Sequence, residues 1–164
     1  MTSESNEPGE PWPTGRSEVE AYIARGFVSV VDADPDSAHQ AVEHAKRHLR
    51  SAELIAADDP YGAVSMAYSA ARKSLWAVLI AQGLNPSGDD SHKVTGEVVS
   101  VQLGQAGSVI RPFQRMRNER REAEYYNRPT AYDESDARRC VGDAAAIVEA
   151  MEKFLAHVRG REFA

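Results

Sequence analysis

The sequence has little cysteine and no long apolar run. Cys140 is its one cysteine, which excludes an internal disulfide and a zinc site built from several cysteines, and is typical of a reducing compartment. No stretch reaches the roughly 18 apolar residues that span a bilayer, and the acidic, proline-containing N-terminus does not look like a secretion signal. We therefore expect a cytoplasmic protein with no membrane contact.

The chain also lacks an overall excess of basic residues, since its formal net charge is −6. Nonspecific coating of duplex DNA needs a broad basic surface, so any contact with nucleic acid must be local. Glycine-rich phosphate loops, nucleophile elbows and paired catalytic carboxylates are missing as well. His44 and His48 have a spacing that suits two metal ligands, but no third ligand is indicated. We predict neither a metal nor a cofactor.

The length of 164 residues, 42% of them hydrophobic, predicts one core. Residues 1–16 contain three prolines and two glycines, so we predict a disordered N-terminal tail. Residues 17–33 are predicted to form a short helix, started by a capping box at Ser17 and Glu20, and then an extended arm. The main domain is assigned to residues 34–160, and residues 161–164 to a C-terminal tail.

The periodicity of the main domain is helical. Asp34 and Asp59 each precede a proline and an apolar stripe, which predicts two long helices that pack antiparallel across a short turn. After a turn-rich loop at 85–91, a third helix is predicted to end near Gly104, although its β-branched residues would also suit a strand. Further helices are predicted at about 109–126 and 133–160. The fold class is all-α, an antiparallel bundle of four to five helices.

Arginines are concentrated in the predicted helix at 109–126 and just beyond it. Six of them lie between residues 111 and 128, against three glutamates, which gives a local charge of +3 in an acidic chain: Arg111, Arg115, Arg117, Arg120, Arg121 and Arg128. Such a cluster predicts an anionic partner. The alternative is a solvated helix face whose arginines pair with glutamates three or four residues away.

Arg120 falls on the apolar side of this helix, in the same sector as Phe113 and Met116. Its guanidinium cannot lose its charge, so it needs an anionic or carbonyl partner wherever it is buried. One interpretation is an internal ion pair with Glu53 or Asp143. The other is a cleft or dimer seam that receives RNA or a nucleotide. Three nearby tyrosines could stack on unpaired bases or close the end of the bundle: Tyr125, Tyr126 and Tyr132.

Four segments together resemble the HEPN domain family over about residues 36–157: YGAVSMAYSAARKSLWAVLIAQGL, SHKV, FQRMRNERREAEYY and the helix that follows YDESDARR. The resemblance implies an all-helical protomer that often dimerises, with the arginine helices of two protomers lining a shared cleft. It also implies a prokaryotic toxin–antitoxin or defence module, in which a nucleotidyltransferase-type protein can act as the antitoxin.

Catalytically active members of that family are metal-independent endoribonucleases with an arginine, a polar residue that is often asparagine, and a histidine after a short gap. Here Arg120 and Arg121 match the first two positions, but Tyr125 stands where the histidine is expected. In the alternative frame Arg117 and Asn118 match, and a glutamate occupies the histidine position. RNA cleavage without a metal needs a group that moves protons. The sources that the sequence offers are Glu122, Glu124 and His92.

The resulting hypothesis is a homodimeric protein that interacts with RNA or a nucleotide. The catalytic positions, if any activity is present, are assigned to Arg120, Arg121 and Tyr125. Binding is assigned to a wider set: Arg115, Arg117, Asn118, Arg121, Tyr126 and Arg128. Two alternatives stay open: a non-catalytic helical dimerisation or interaction protein, and a metal-independent endoribonuclease with a substituted active site.

Overall fold

A computed structural model describes residues 14–125 and 132–158, with side chains over 14–122 and 132–158. Of the N-terminal tail predicted over residues 1–16, residues 1–13 lie outside this range, as does the tail predicted over 161–164. In chain order the elements are α1 Arg16–Ala24, β1 Val28–Val30, α2 Pro35–Ile55, α3 Pro60–Ile80, β2 Leu84–Pro86, α4 Ser91–Leu103, a 3-10 segment Gly104–Ile110, α5 Arg111–Tyr125 and α6 Glu134–Val158. The predicted all-α class is confirmed, with a two-stranded sheet as a small addition.

The two long helices begin as the sequence predicts. Asp34 and Asp59 are the N-caps, and each carboxylate accepts a backbone N–H bond of 2.9 Å, from Ser37 and Gly62 respectively. A proline follows each cap, where its missing N–H costs no helical hydrogen bond. Only a short link separates α2 from α3, so the two helices pack side by side in opposite directions.

Helix α3 is the centre of the core. It packs against α2 on one side and against α4, α5 and α6 on the others. Its small residues allow these helices to approach closely, and the larger Leu75 and Leu79 fill the space between them. Both leucines are fully buried, together with alanines at five positions: Ala63, Ala67, Ala70, Ala71 and Ala77.

Helix α4 forms despite its β-branched residues, because Val94, Val98 and Val99 are all buried against neighbouring helices. Tertiary packing here outweighs local preference. A buried pair of amides also joins α4 to the end of α3: Gln82 and Gln102 exchange hydrogen bonds of 3.1 and 2.8 Å, and each is 1% exposed. Each buried amide therefore provides the hydrogen-bond partner that water would provide at the surface.

The start of the chain differs in two details from the prediction. The N-cap of α1 is Gly15, which has a φ of 72°, so the predicted capping box at Ser17 is wrong. The Ser17 hydroxyl instead donates to Glu18, and Arg16 binds Glu20 at 2.9 Å. These local contacts occupy the Ser17 hydroxyl and the Glu20 carboxylate, which are the two groups that the capping box would have used.

The predicted arm contains strand β1, and part of the predicted loop at 85–91 belongs to strand β2. The strands pair antiparallel, with Val30 opposite Leu84 and Val28 opposite Pro86. Gly83 precedes β2 with a φ of 75°, and a Cβ there would lie 2.4 Å from the Val31 carbonyl oxygen. Strands of three residues carry too little periodicity for a sequence pattern to reveal them.

Among the described residues, no helix combines the length and the apolar character that a membrane span needs.

Candidate anion-binding site

A recess of about 230 Å³ lies between α5 and the start of α4. We call it the arginine pocket. Its lining consists of three of the predicted arginines, a histidine and two other polar residues: Arg117, Arg120, Arg121, His92, Asp89 and Ser91. The fold therefore brings part of the predicted site together and adds side chains from α4 to it.

The apolar face of α5 determines which way its arginines point. Phe113 and Met116 are buried, and the Phe113 ring stacks on Tyr68 of α3, with centroids 5.3 Å apart. The close approach of α4 to this ring depends on Gly96, where a Cβ would lie 2.9 Å from Phe113. Because these contacts seat α5 on α3 and α4, the arginines that follow Met116 come to lie over the start of α4.

Arg120 lies on the apolar seam, as the sequence predicts. Its guanidinium carbon is 5.4 Å from the centroid of the Tyr68 ring, and the residue is half-buried. A cation over an aromatic face is attracted by the ring quadrupole. Tyr68, a buried residue of α3, thus also contacts a residue that lines the arginine pocket.

His92 is the other residue that Tyr68 positions. The His92 Nδ1 atom lies 2.9 Å from the Tyr68 hydroxyl oxygen. Burial lowers the pKa of His92 below its ordinary value, and the positive charges of Arg72, Arg120 and Arg117 lower it further. The imidazole is therefore neutral at pH 7 and can accept a proton.

Two aspartates lie at the arginine pocket: Asp89 belongs to its lining, and Asp90 is the residue that follows it. Within the described residues, Arg117 has one salt bridge, of 3.9 Å, with Asp90, whose side chain is 72% exposed. Such a contact contributes little, because water screens it. The N-terminal end of α4 adds a partial positive charge on the same side of the pocket. Three guanidinium groups and the Asp89 carboxylate thus share one recess, in which arginines outnumber acids.

Arg115 lies apart from this recess, on the side of α5 that faces α6. It forms a salt bridge with Asp143 and a second one, of 3.4 Å, with Glu119. Asp143, a predicted partner of Arg120, therefore binds Arg115. Glu119 also binds Arg139 at 3.2 Å and accepts a hydrogen bond from the Cys140 thiol at 2.9 Å. We call this set the paired cluster.

Burial raises the pKa of the Cys140 thiol to about 12, and the neighbouring Glu119 carboxylate adds to the shift. A thiol with such a pKa stays protonated at pH 7, and only the thiolate is a strong nucleophile. Cys140 is thus a buried hydrogen-bond donor in the paired cluster.

The remaining predicted residues are not brought into the pocket lining or lie outside the described side chains. Asn118 is exposed, and its side-chain oxygen accepts a bond of 3.3 Å from Gln114. The predicted sites at Tyr125, Tyr126 and Arg128 fall outside the described side chains, as does the proton-shuttle candidate Glu124.

Tyr132 packs its ring edge-on against Tyr61, with centroids 5.5 Å apart, and its hydroxyl donates to Glu122 at 3.2 Å. Burial and Glu122 raise the pKa of Tyr132. These contacts close the end of the bundle, which is the second of the two roles considered for this tyrosine. Over the described part of the chain, no three His, Cys, Asp or Glu side chains are grouped in a way that could hold a metal ion.

The profile of the HEPN domain family matches residues 38–154, a range that begins in α2 and ends in α6. The chain belongs to the HEPN domain family. No curated protein and no solved structure shows a significant match to it. The predicted family is confirmed, and the matched range includes every residue that lines the arginine pocket of this HEPN domain.

The sequence did not predict that His92 and Tyr68 lie together at the arginine pocket. His92 is one of the three proton sources that the sequence offers, and Tyr68 is absent from the predicted site. Twenty-eight positions separate His92 from Arg120 in the sequence, so no local spacing relates the two. One feature of the sequence could have indicated the role of His92: it lies in the first turn of a helix that had to pack beside the arginine helix.

Proposed function

We propose that this HEPN domain binds RNA or a nucleotide by holding a phosphate group in the arginine pocket. The observation that supports the proposal is the convergence of Arg117, Arg120 and Arg121 on one recess in an otherwise acidic chain. Guanidinium groups offer forked N–H donors that match phosphate oxygens. The Tyr68 ring and the neutral imidazole of His92 complete a site that recognises an anion by charge and by hydrogen bonds.

The test is binding of a labelled single-stranded RNA and of a mononucleotide to the wild type and to R117A and R121A. We expect each substitution to weaken RNA binding about tenfold and to reduce the slope of log affinity against log salt by about one. R138A is the matched control, because Arg138 is an exposed arginine that pairs with Glu134 on α6. Equal affinities in R117A, R121A and R138A would contradict the proposal and favour the alternative of a non-catalytic interaction protein.

A second function is favoured by one observation, the position of His92 beside the arginines in the pocket lining, with its Nδ1 atom 2.9 Å from the Tyr68 hydroxyl oxygen. We propose that the pocket also supports metal-independent cleavage of RNA. His92 would take the proton of a 2′-hydroxyl, O2′ would bond to phosphorus as the bond to O5′ breaks, and O5′ would take a proton from the imidazolium or from water. The arginines would offset the negative charge that develops on the phosphate oxygens.

This role requires the tautomer in which Nδ1–H donates to Tyr68 and Nε2 carries the lone pair. Incubation of RNA with the protein and a metal chelator should then yield fragments that end in a 2′,3′-cyclic phosphate. H92Q should abolish cleavage and retain RNA binding. Intact RNA with the wild type, at concentrations where binding is complete, would rule out the nuclease and leave the binding function in place.

Family membership supports a proposal about the wider setting. We propose that the protein is a cytoplasmic homodimer in a toxin–antitoxin or defence module, and that a nucleotidyltransferase-type protein is its antitoxin. Light scattering on the purified protein tests the dimer. Co-expression with a minimal nucleotidyltransferase encoded beside this gene tests the partner: co-purification in a fixed ratio is the expected result, and separate elution would contradict it.

A further inference from the structure

A second basic groove lies between α2 and α3, beside the arginine pocket. Its volume is about 330 Å³, and its lining includes Gln40 and His44 from α2 with Arg72, Lys73 and Trp76 from α3. No carboxylate lines it. The groove therefore combines cationic side chains, an amide and an indole in one recess.

The cations of this groove have no acidic partner in the described part of the chain. Within the described residues, neither Arg72 nor Lys73 forms a salt bridge, whereas Lys46 binds both Glu43 and Glu152. The positive charge of Lys73 also acts on His48, which lies one turn after His44 on α2. Burial lowers the pKa of His48, and the charge of Lys73 lowers it further. The groove thus carries positive charge that no acid of the described fold neutralises.

Arg72 connects the groove to the arginine pocket. Tyr68, Arg72 and Trp76 follow one another at intervals of four residues, which places them along one face of α3 with a rise of about 6 Å between successive members. Tyr68 contacts Arg120 and His92 in the pocket, and Arg72 and Trp76 line the groove. The field of Arg72 reaches His92 as well. Arg72 therefore belongs to the groove and also acts electrostatically on a residue of the arginine pocket.

Trp76 is half-buried and packs against the core with part of its ring, while the ring also lines the groove. An indole held in place by the core is a rigid platform on which an unpaired base can stack. Cations in the same recess as such a platform match the presence of both bases and phosphates along a single strand. A mononucleotide held in the arginine pocket would use none of these groups.

Resting on the proposed phosphate binding, we propose that the groove between α2 and α3 is a second subsite for the same ligand, which is then a single-stranded RNA. The strand extends from the arginine pocket across Arg72, stacks one base on Trp76 and places a further phosphate near Lys73 and His44. A second copy of this chain is the competing occupant. The groove supplies no carboxylate to offset its own cations across an isologous contact, so the RNA is favoured.

The experiment follows the fluorescence of Trp76 in a W12F background, because Trp12 is the other tryptophan of the sequence. Titration with a single-stranded RNA of about ten nucleotides should quench Trp76. W76L should weaken binding of this RNA roughly ten- to one-hundred-fold, the fold-change that corresponds to one stacked base. K73A should reduce the salt slope by about one. Neither variant should change mononucleotide affinity.

W76F should recover much of the lost affinity, since a phenyl ring still stacks. K153A is the matched control for K73A, because Lys153 is an exposed lysine on α6 that pairs with Glu149. Thermal unfolding of W76L shows whether the fold is intact, and K73A tests the groove without altering the core.

Three outcomes would overturn the proposal. If RNA binding depends on Arg117 and Arg121 but neither quenching nor an effect of W76L and K73A is seen, the second subsite is wrong and phosphate binding stands. If no RNA binds, the second subsite and the proposed phosphate binding are both wrong. If W76L and K73A turn a dimer into a monomer with RNA affinity unchanged, the groove is an interface between copies of the chain.

Discussion

Helix α5 carries arginines on two sides, and the two sides face different neighbours. Towards α6, Arg115 meets Asp143 and Glu119 within the paired cluster. Towards α4, Arg117 has one distant and exposed acid, and Arg120 lies over the Tyr68 ring. The same residue type therefore stabilises the bundle on one side and leaves positive charge in an open recess on the other.

The difference follows from the cost of removing a charge from water. Glu119 is 13% exposed in its side chain, so its contacts with arginine and thiol offset its own desolvation. The guanidinium groups of the arginine pocket stay partly hydrated, and an incoming phosphate can replace that water. Three changes should break or sharpen this contrast.

The largest effect is expected from adding a further acid to the pocket lining, with S91D. Ser91 lines the arginine pocket at the first turn of α4, where a carboxylate is also favourable to the helix. The new charge should occupy the arginines and weaken RNA binding at least about tenfold, or about 1.4 kcal/mol. Fluorescence anisotropy measures the loss.

S87D is the control for S91D, because it adds the same charge at an exposed position outside the pocket lining. An equal loss of affinity in both variants would mean that net charge, and not occupation of the pocket, governs binding. The contrast between the two sides of α5 would then have no bearing on ligand binding.

The second prediction breaks the paired side with E119A. Removal of this carboxylate leaves Arg115 and Arg139 with fewer acids and the Cys140 thiol without its acceptor. We expect the free energy of unfolding to fall by about 1–2 kcal/mol, since the arginines are partly exposed and only the thiol is buried. Urea unfolding measures this change, and RNA affinity should stay within about twofold. An unchanged stability would show that the cluster contributes nothing.

The smallest effect concerns pH. Because the folded state lowers the pKa of His92, the unfolded chain binds more protons below the ordinary value of 6.5. The folded state favours the neutral imidazole, so the contribution of His92 to stability is fully present above pH 6.5. This contribution is lost as the pH falls below 6.5. H92N should lose less stability than the wild type on acidification. Urea unfolding across this pH range tests the difference.

Mononucleotide affinity of the wild type should rise in the same pH range, because a bound phosphate favours the imidazolium, and H92N should lose this rise. His48 also has a lowered pKa, caused mainly by burial. H48N is thus a control that should flatten the stability profile but keep the pH dependence of mononucleotide binding. Identical binding profiles in H92N and the wild type would place the imidazole outside the site.

Much of the fold could be predicted because its signals are local. The Asp-Pro starts of α2 and α3 give the correct N-caps, since an aspartate side chain and the next few N–H groups are neighbours in any sequence. The strands were not predicted, because β1 and β2 depend on each other across more than fifty residues. The capping box at Ser17 failed for a related reason: several local partners compete for the same groups.

The site was predicted in part. The periodicity of α5 correctly placed Arg120 on the apolar seam, but it could not tell which acid or ring would face it. Arg115 and Arg117 are two residues apart and look alike in the sequence, yet one binds Asp143 and the other lines the pocket. Only the packing of α4 and α6 on opposite sides of α5 separates them.

The sequence by itself determined the long helices, the caps of α2 and α3, the helical class and the concentration of arginine on one helix, because each depends on groups within a few turns of one another. The tertiary structure decided that Arg115 meets the acids of the paired cluster, and it brought His92 and Tyr68 to the arginines on the other side of α5. The physical reason is that the partner of a charged side chain is chosen by the surface packed against its helix, and that surface comes from distant parts of the chain.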